Sequence, residues 1–338
     1  MSAFTKMLAG AALCSLVLSA PAWAEPEKKD ITLGVGGKPA LYYLPLTVTE
    51  VKGFFKEEGL NVTIQDFQGG SKSLQALMGG SVDVVTGAYE HTIRMQAKGQ
   101  DLTAVVELGR FPGIVVGVRK DLADKVKSVA DLKGMKIGVT APGSSTHNIV
   151  NYALNKAGLS PRDVSIIGVG ASSTAVAAVE KGEIDAISNI DPAISMIDKK
   201  VGLKVIVDTR TEKDTIDLLG APSPAAVLYL RPEFAEKNPE TVQALVNAFY
   251  KGLQWLANAS AEEVAAIMPE SYYLGDREMY VSAVANSLPT YSRTGKITED
   301  GMKGAAALLS FDDSIDLKKI DLSKTFDSRF IDKAAGKN

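Results

Sequence analysis

The chain has 338 residues, 46% hydrophobic and 23% charged, with a formal net charge of −3. That length exceeds what one core usually takes, so two lobes are expected. The mildly acidic, mixed surface argues against a nucleic-acid partner, and a single cysteine, Cys14, excludes a disulfide framework.

Residues 1–24 read as a secretory signal peptide. Lys6 supplies the positive start, Met7 to Leu18 an apolar stretch too short to span a bilayer comfortably, and Ala22-Trp23-Ala24 a small-x-small cleavage site. Leu13 precedes Cys14 where a lipoprotein signal wants a small residue, so lipidation is not expected. Cleavage near Ala24 would leave a cysteine-free chain, which rules out thiolate catalysis and cysteine metal sites and suits an oxidising periplasm.

Short apolar runs then alternate with helical patterns. Ile31–Gly36, Asn61–Phe67, Val82–Gly87 and Leu102–Leu108 read as strands. Pro45–Glu58, Ser71–Met78 and His91–Lys98 read as the helices between them, Gly59 stopping the first. Strands joined by crossover helices pair in parallel. After Phe111-Pro112, Gly113–Val118 reads as a strand crossing into a second lobe. Ser128 to Asp131 has capping-box spacing. Lys136–Thr140, Val164–Gly168, Ala186–Ser188 and Lys204–Val207 are the second lobe's strands, with helices starting near Ser144, Ser173 and Pro192. Ala225–Leu230 is expected to return to the first lobe. Asn238-Pro239 then opens a helix with Asn as cap, its apolar face traced by Val242, Leu245, Val246, Phe249, Leu253 and Leu256. Further helices are expected over Ala261–Met268, Arg277–Asn286 and Thr298–Leu309. The fold class is therefore α/β, in two lobes, each a mostly parallel sheet flanked by helices. Lobe I takes residues 31–112 and 225–332, lobe II residues 113–224, and residues 333–338 form a loose tail.

The lobes repeat one another. Val62-Thr63-Ile64, Ser71 and Val82-Asp83 recur as Val164-Ser165-Ile166, Ser173 and Ile184-Asp185, at a constant offset of 102 residues. In both copies a strand runs into a loop of small and hydroxyl residues that opens a helix. Helix N-termini expose unpaired N–H groups and a partial positive charge, so they suit an anion. The sharpest such loop is Gly143, Ser144, Ser145, Thr146 and His147, whose run of donors exceeds what capping needs. The loops at Gly70-Ser71 and at Ser172 offer the same chemistry with less weight. The Ser144–His147 run has no close counterpart in the first copy, where Lys38, Pro39 and Ala40 stand instead, so the main anion contact is expected on the second lobe.

In open α/β sheets ligands collect outside the carboxyl ends of strands. Tyr89, Glu90 and His91 stand there in the first lobe, Asn189 and Asp191 in the second. Glu90 and Asp191 could read an ammonium or ring N–H, or serve as caps and ion-pair partners. Lys38 could meet an anion, Tyr43 could stack on a ring or pack in the core, and Phe111 could face the cleft. No His-x-x-x-His or similar spacing supports a metal site, and no cofactor motif is complete: the loop after Gly69 does not fit the P-loop, and Gly34-Val35-Gly36 lacks a dinucleotide fingerprint's third glycine.

Gly53-Phe54-Phe55-Lys56-Glu57-Glu58-Gly59-Leu60, Ala76-Leu77-Met78-Gly79-Gly80-Ser81-Val82-Asp83, Asp131-Leu132-Lys133-Gly134-Met135-Lys136-Ile137-Gly138-Val139 and Gly143 to His147 together resemble the periplasmic solute-binding proteins of ABC importers in the sulfonate, nitrate and taurine class. That class shares its fold with thiamine-pyrimidine-precursor binders. The resemblance implies a type II-like clamp with two crossing strands that closes on ligand and is then recognised by an inner-membrane permease with its cytoplasmic ATPase. Two departures bear on the ligand. Asp191-Pro192 stands where many relatives carry Trp or Tyr, and Trp255, within an amphipathic helix, is the only tryptophan after the signal. The cysteine cluster of fungal pyrimidine-synthesising relatives is missing.

The expected function is thus capture, without chemistry, of a small organic anion: a sulfonate or an aromatic carboxylate. A pyrimidine or a zwitterionic amine such as taurine is the alternative, and an enzyme using His91 or His147 is the rival class. The protein is expected to be a periplasmic monomer.

Overall fold

A computed structural model describes residues 25–336; the expected signal peptide lies outside the described residues. Strand β1 (Asp30–Val35) is followed by helices α1 (Leu44–Val51) and α2 (Phe54–Glu57), β2 (Asn61–Asp66), α3 (Gly70–Met78), β3 (Val84–Ala88), α4 (Glu90–Gln96) and β4 (Thr103–Glu107). The second unit runs β5 (Ile114–Arg119), β6 (Lys136–Val139), α5 (Ser145–Lys156), β7 (Ser165–Gly168), α6 (Ser173–Glu180), β8 (Ala186–Ile190), α7 (Ala193–Lys200), β9 (Leu203–Asp208) and α8 (Glu212–Leu219). Strand β10 (Ala226–Leu230) then leads to α9 (Pro232–Lys237), α10 (Pro239–Asn258), α11 (Ala261–Ile267), α12 (Arg277–Ser287), α13 (Glu299–Ala307) and α14 (Arg329–Ala334).

The strands form two five-stranded sheets, ordered β2-β1-β3-β10-β4 and β7-β6-β8-β5-β9. Each sheet is parallel except for one strand that enters from the other unit: β10 lies antiparallel between β3 and β4, and β5 between β8 and β9. These are the two crossing strands. Both are wholly apolar apart from Gly117, Arg119 and Tyr229, because a strand paired on both sides beneath helices has no wet face.

The repeat noted in the sequence has a structural cause. Asp83 Oδ2 accepts the backbone N–H of Thr32 at 2.9 Å, and Asp185 Oδ2 accepts that of Lys136, also at 2.9 Å. Each aspartate also pairs by its own backbone, Asp83 N–H to Thr32 O at 2.9 Å and Asp185 N–H to Lys136 O at 2.8 Å. The repeated apolar-Asp step thus fixes the start of the central strand in both sheets through a charge-assisted bond.

Three local expectations differ from the structure. Pro45–Glu58 is two helices, because Gly53 takes the left-handed conformation (φ 77°) and ends the first after Val51. Asn238 does not cap α10 with its side chain; its amide donates to Phe234 O at 3.1 Å instead. The Ser128–Asp131 capping box is formed, around a single 3-10 turn. The apolar face of α10 is buried as its periodicity requires, with Phe249 edge-on to Phe55 at 5.4 Å. α14 continues to Ala334, past the point where a loose tail was expected, because Phe330 and Ile331 are buried against α10 and β4.

Candidate binding site between the lobes

The carboxyl ends of β1, β3, β6 and β8 and the start of β5 meet at one cavity, with the first turns of α3, α4 and α5 beside them. Its wall comprises Gly36, Tyr42, Tyr43, Gly70, Ala88, His91, Ile114, Thr140, Ser144, Ser145, Thr146 and Ile190. The enclosed volume is about 20 Å3, room for about one water-sized group. Gly36 lets the chains approach here: a Cβ on it would stand 2.4 Å from Gly70 N and 2.5 Å from Gly70 Cα.

The lobes touch directly across this cavity. Ser71 N–H donates to Ser144 Oγ at 3.0 Å, and Ser71 Oγ donates to Pro142 O at 2.8 Å. Leu41 N–H donates to Asp191 O at 2.8 Å. Arg94 reaches from α4 to Asn148 Oδ1 at 3.0 Å while pairing with Asp312 at 2.9 Å, and Asn148 Nδ2 donates to Glu90 Oε1 at 3.2 Å. Each of the three neutral bonds is worth ~0.5–1.5 kcal/mol and each of the two to the charged Arg94 and Glu90 ~1.5–3 kcal/mol, so the contacts together hold the lobes in this arrangement.

Among the described residues, two buried polar atoms on the cavity wall make no hydrogen bond of normal geometry, Tyr42 OH and His91 Nε2; the Ser145 hydroxyl is the polar group beside Tyr42, and the Gly143 backbone the one beside the His91 ring. An orphaned buried donor costs ~1–3 kcal/mol, and such atoms clustered at one cavity point to a ligand. Burial holds the His91 pKa below its ordinary value, although Glu90 pulls it the other way. His91 Nδ1 lies 3.3 Å from Tyr229 OH. With that hydroxyl donating, the neutral ring carries its proton on Nε2 and presents it as a donor. Burial, reinforced by Glu90, raises the Tyr42 and Tyr43 phenols well above their ordinary range, so both remain protonated. The nearby Ser145 hydroxyl offsets a little of this at Tyr42. The wall is therefore a set of neutral donors, without a lysine or arginine side chain.

His147 has a different role. Its Nδ1 accepts Gly143 N–H at 2.9 Å, so the proton must sit on Nε2, 3.1 Å from the Asn151 amide. A proton on Nε2 calls for the oxygen of Asn151 there, and turning that amide over would also satisfy Asn151 Oδ1, which otherwise lacks a partner. Burial first, then Arg94, lowers the His147 pKa. A neutral His147 thus braces the Gly143–Ser144 turn.

Of the residues expected from sequence, Tyr43, Gly70, His91, Ser144, Ser145 and Thr146 line the cavity. Thr146 is on the wall, but its hydroxyl is occupied by Thr140 N–H at 3.1 Å and Thr140 Oγ1 at 2.9 Å. Ser71 joins the lobes through Ser144 and Pro142, Gly143 bonds within its own lobe to His147, and Glu90 is buried behind the wall. Lys38 does not reach the cavity; its ammonium pairs with Glu50 at 2.6 Å. Tyr89 points into its own lobe, 2.5 Å from Thr325 Oγ1. Asn189 spends its amide on Gly170 O and on Ile190 N–H, both at 3.0 Å. Ser172 flanks α6 off the cavity wall. Phe111 and Asp191 line a second, adjacent cavity, where Asp191 Oδ1 accepts Ser195 N–H and Oγ–H. Sequence reasoning missed Tyr42, Arg94, Asn148 and Tyr229. Tyr42 adjoins a residue that was singled out. The others sit inside regular elements, where nothing local distinguishes a cleft residue from a core one.

A family profile described as NMT1/THI5 like matches residues 40–263. A solved structure from Bordetella bronchiseptica RB50 is 49% identical with a TM-score of 0.91, covering 93% of this chain and 99% of its own. A Bacillus subtilis protein described as an aliphatic sulfonates-binding protein is 30% identical over 91% of this chain and 89% of its own length. The alkanesulfonate-binding protein SsuA from Xanthomonas axonopodis pv. citri, solved bound to MOPS, shares the fold at a TM-score of 0.67 and 20% identity, covering 84% of this chain and 92% of its own.

Proposed function

Since the chain belongs to the NMT1/THI5-like family, we propose that it is the solute-binding component of an ABC importer, capturing a small organic anion, a sulfonate or an aromatic carboxylate, between its lobes. The observation that carries this reading is the inter-lobe cavity whose buried wall includes Tyr42 OH and His91 Nε2 beside the hydroxyls of Ser144 and Ser145. Neutral donors and a helix N-terminus stabilise a compact anionic head without the desolvation cost of a buried cation. The first turn of α5 contributes from one lobe and Tyr42, Tyr43 and His91 from the other. A ligand touching both sets favours the closed state, and only such a difference between states drives closure.

A ligand larger than the 20 Å3 now enclosed binds with the lobes held slightly further apart. It would replace the Ser71–Ser144 contact by bonds to itself. The ligand-bearing form would then be handed to a membrane permease and its ATPase, with the protein a periplasmic monomer. No helix among the described residues is long and apolar enough to cross a membrane. The buried Glu90 carboxylate favours a second reading, in which the ligand also carries an N–H group, as taurine or a pyrimidine does.

The test is a thermal-shift screen of residues 25–338 against sulfonates, aromatic carboxylates, amines and pyrimidines. Any acid that raises the melting temperature is titrated into Ser145→Ala and His91→Ala. Each substitution is expected to weaken binding about 10–150-fold, the loss of one hydrogen bond to a charged group. A ligand whose affinity is untouched by both changes refutes the site.

A further inference from the structure

We propose that Tyr42, together with Ile190, sets the length of ligand the cleft accepts. This rests on the anion-capture reading and adds to it a determinant of specificity. Two cavities of about 20 Å3 each lie side by side at the lobe junction, and Tyr42 and Ile190 belong to the walls of both. The inner one is the donor-lined cavity described above. The outer one has another character. It is walled by the rings of Phe111 and Tyr291, and its two charged residues offset one another: Arg210 stands 3.6 Å from Asp191 and also pairs, behind the wall, with Asp208 at 2.6 Å. Such a chamber suits the uncharged body of a ligand rather than its anionic head.

Tyr42 is held in place as a partition. It lies on a single 3-10 turn, Leu41–Tyr43, and its ring is edge-on to Tyr43 at 4.9 Å. The turn is pinned from the outer chamber's wall: Tyr291 OH donates to Leu41 O at 2.8 Å, and Leu41 N–H donates to Asp191 O at 2.8 Å. An acid with its head among the inner donors directs its body against this ring. A short body ends there, whereas a longer one must displace an aromatic side chain that its neighbours hold. Truncating Tyr42 joins the two chambers and opens the outer one to the ligand's body.

The test is calorimetric titration of straight-chain alkanesulfonates, from methanesulfonate to hexanesulfonate, into residues 25–338 of the wild type, Tyr42→Phe and Tyr42→Ala. The wild type is expected to bind the short members best. Tyr42→Phe keeps the partition, so it weakens every member by a similar factor and retains the length profile. Tyr42→Ala shifts the optimum by two or more carbons, raising affinity for hexanesulfonate relative to methanesulfonate at least 10-fold. Ile190→Ala shifts it in the same direction by a smaller factor. If Tyr42→Ala binds the series with the wild-type profile, the partition is overturned while anion capture stands. If no member binds even the wild type and no other acid does in the thermal screen, both readings fall.

Discussion

Glu107 provides a quantitative test of the structure away from the cleft. It ends β4, is buried, and accepts a hydrogen bond from Ser292 Oγ at 2.6 Å. Ser292 Oγ in turn accepts Gly295 N–H at 3.0 Å, and Glu107 N–H donates to Gly295 O at 2.7 Å. Burial pushes its carboxyl pKa from 4.5 up to about 8, against the weaker opposing pull of Ser292 and Arg110. Between those two values the native chain keeps a proton that the unfolded chain has released. Stability from this group is therefore complete below pH 4.5 and is lost as pH rises towards 8. A difference of one bound proton between the two states changes stability by ~1.4 kcal/mol for every step of one in pH. The interval from pH 5 to pH 8 therefore costs about 4 kcal/mol. Glu107→Gln keeps the shape and the Ser292 bond but cannot ionise. Urea unfolding of wild type and variant at pH 5, 6, 7 and 8 measures the difference directly. The variant is expected to be within ~1 kcal/mol of wild type at pH 5, the ordinary cost of a conservative buried change, and to gain on it by about 4 kcal/mol at pH 8. A stability difference that stays constant across the four pH values refutes the assigned burial and protonation of Glu107.

The two histidines give the opposite sign. Both have pKa values lowered from 6.5, chiefly by burial, so the unfolded chain takes up protons that the native one resists and stability falls as pH drops below 6.5. Replacing both by Gln is expected to remove this acid-side loss between pH 6.5 and 5, so that only the opposite slope from Glu107 is left in that interval, read from urea curves. Gly36→Ala places a methyl within 2.4–2.6 Å of the Gly69–Gly70 backbone. Because backbone cannot rotate away, it should cost ~3 kcal/mol and abolish the ligand-induced thermal shift. Asp83→Ala and Asp185→Ala each free a strand N–H, of Thr32 and Lys136, that was bonded to a carboxylate, and the first also removes the half-exposed Lys28 ion pair. Each should lose ~1.5–3 kcal/mol, and the two losses should add within experimental error in the double variant, since the sites lie in separate sheets.

Much of the architecture is legible in the residue order alone. Strand identity follows from short apolar runs between glycines and prolines, and all ten strands lie within two residues of the sequence-based limits. The 102-residue repeat foretells two sheets of matching order, since an Asp that anchors one central strand does the same for its copy. The crossing strands are visible because a run such as Ile114–Val118, apolar on both faces, cannot sit at a wet edge. The hydroxyl-rich loop at Ser144 is legible too, because helix N-termini need donors and acceptors that local sequence must provide.

What the sequence does not determine is which side chain each donor faces. Lys38 and Tyr89 stand at strand ends as a ligand-binding residue would, yet Glu50 and Thr325, 12 and 236 residues away, take them. Tyr229, on β10, meets His91 across 138 residues, and Asn148 meets Glu90 across 58. Local pattern fixes the face of its own element on which a side chain stands, since that depends only on helix and strand periodicity. What lies opposite that face depends on how distant elements pack, and only the tertiary structure decides it. That packing leaves Tyr42 OH and His91 Nε2 facing the junction of the lobes beside the Ser144 and Ser145 hydroxyls, and it makes Lys38, Tyr89 and Asn189 part of the frame.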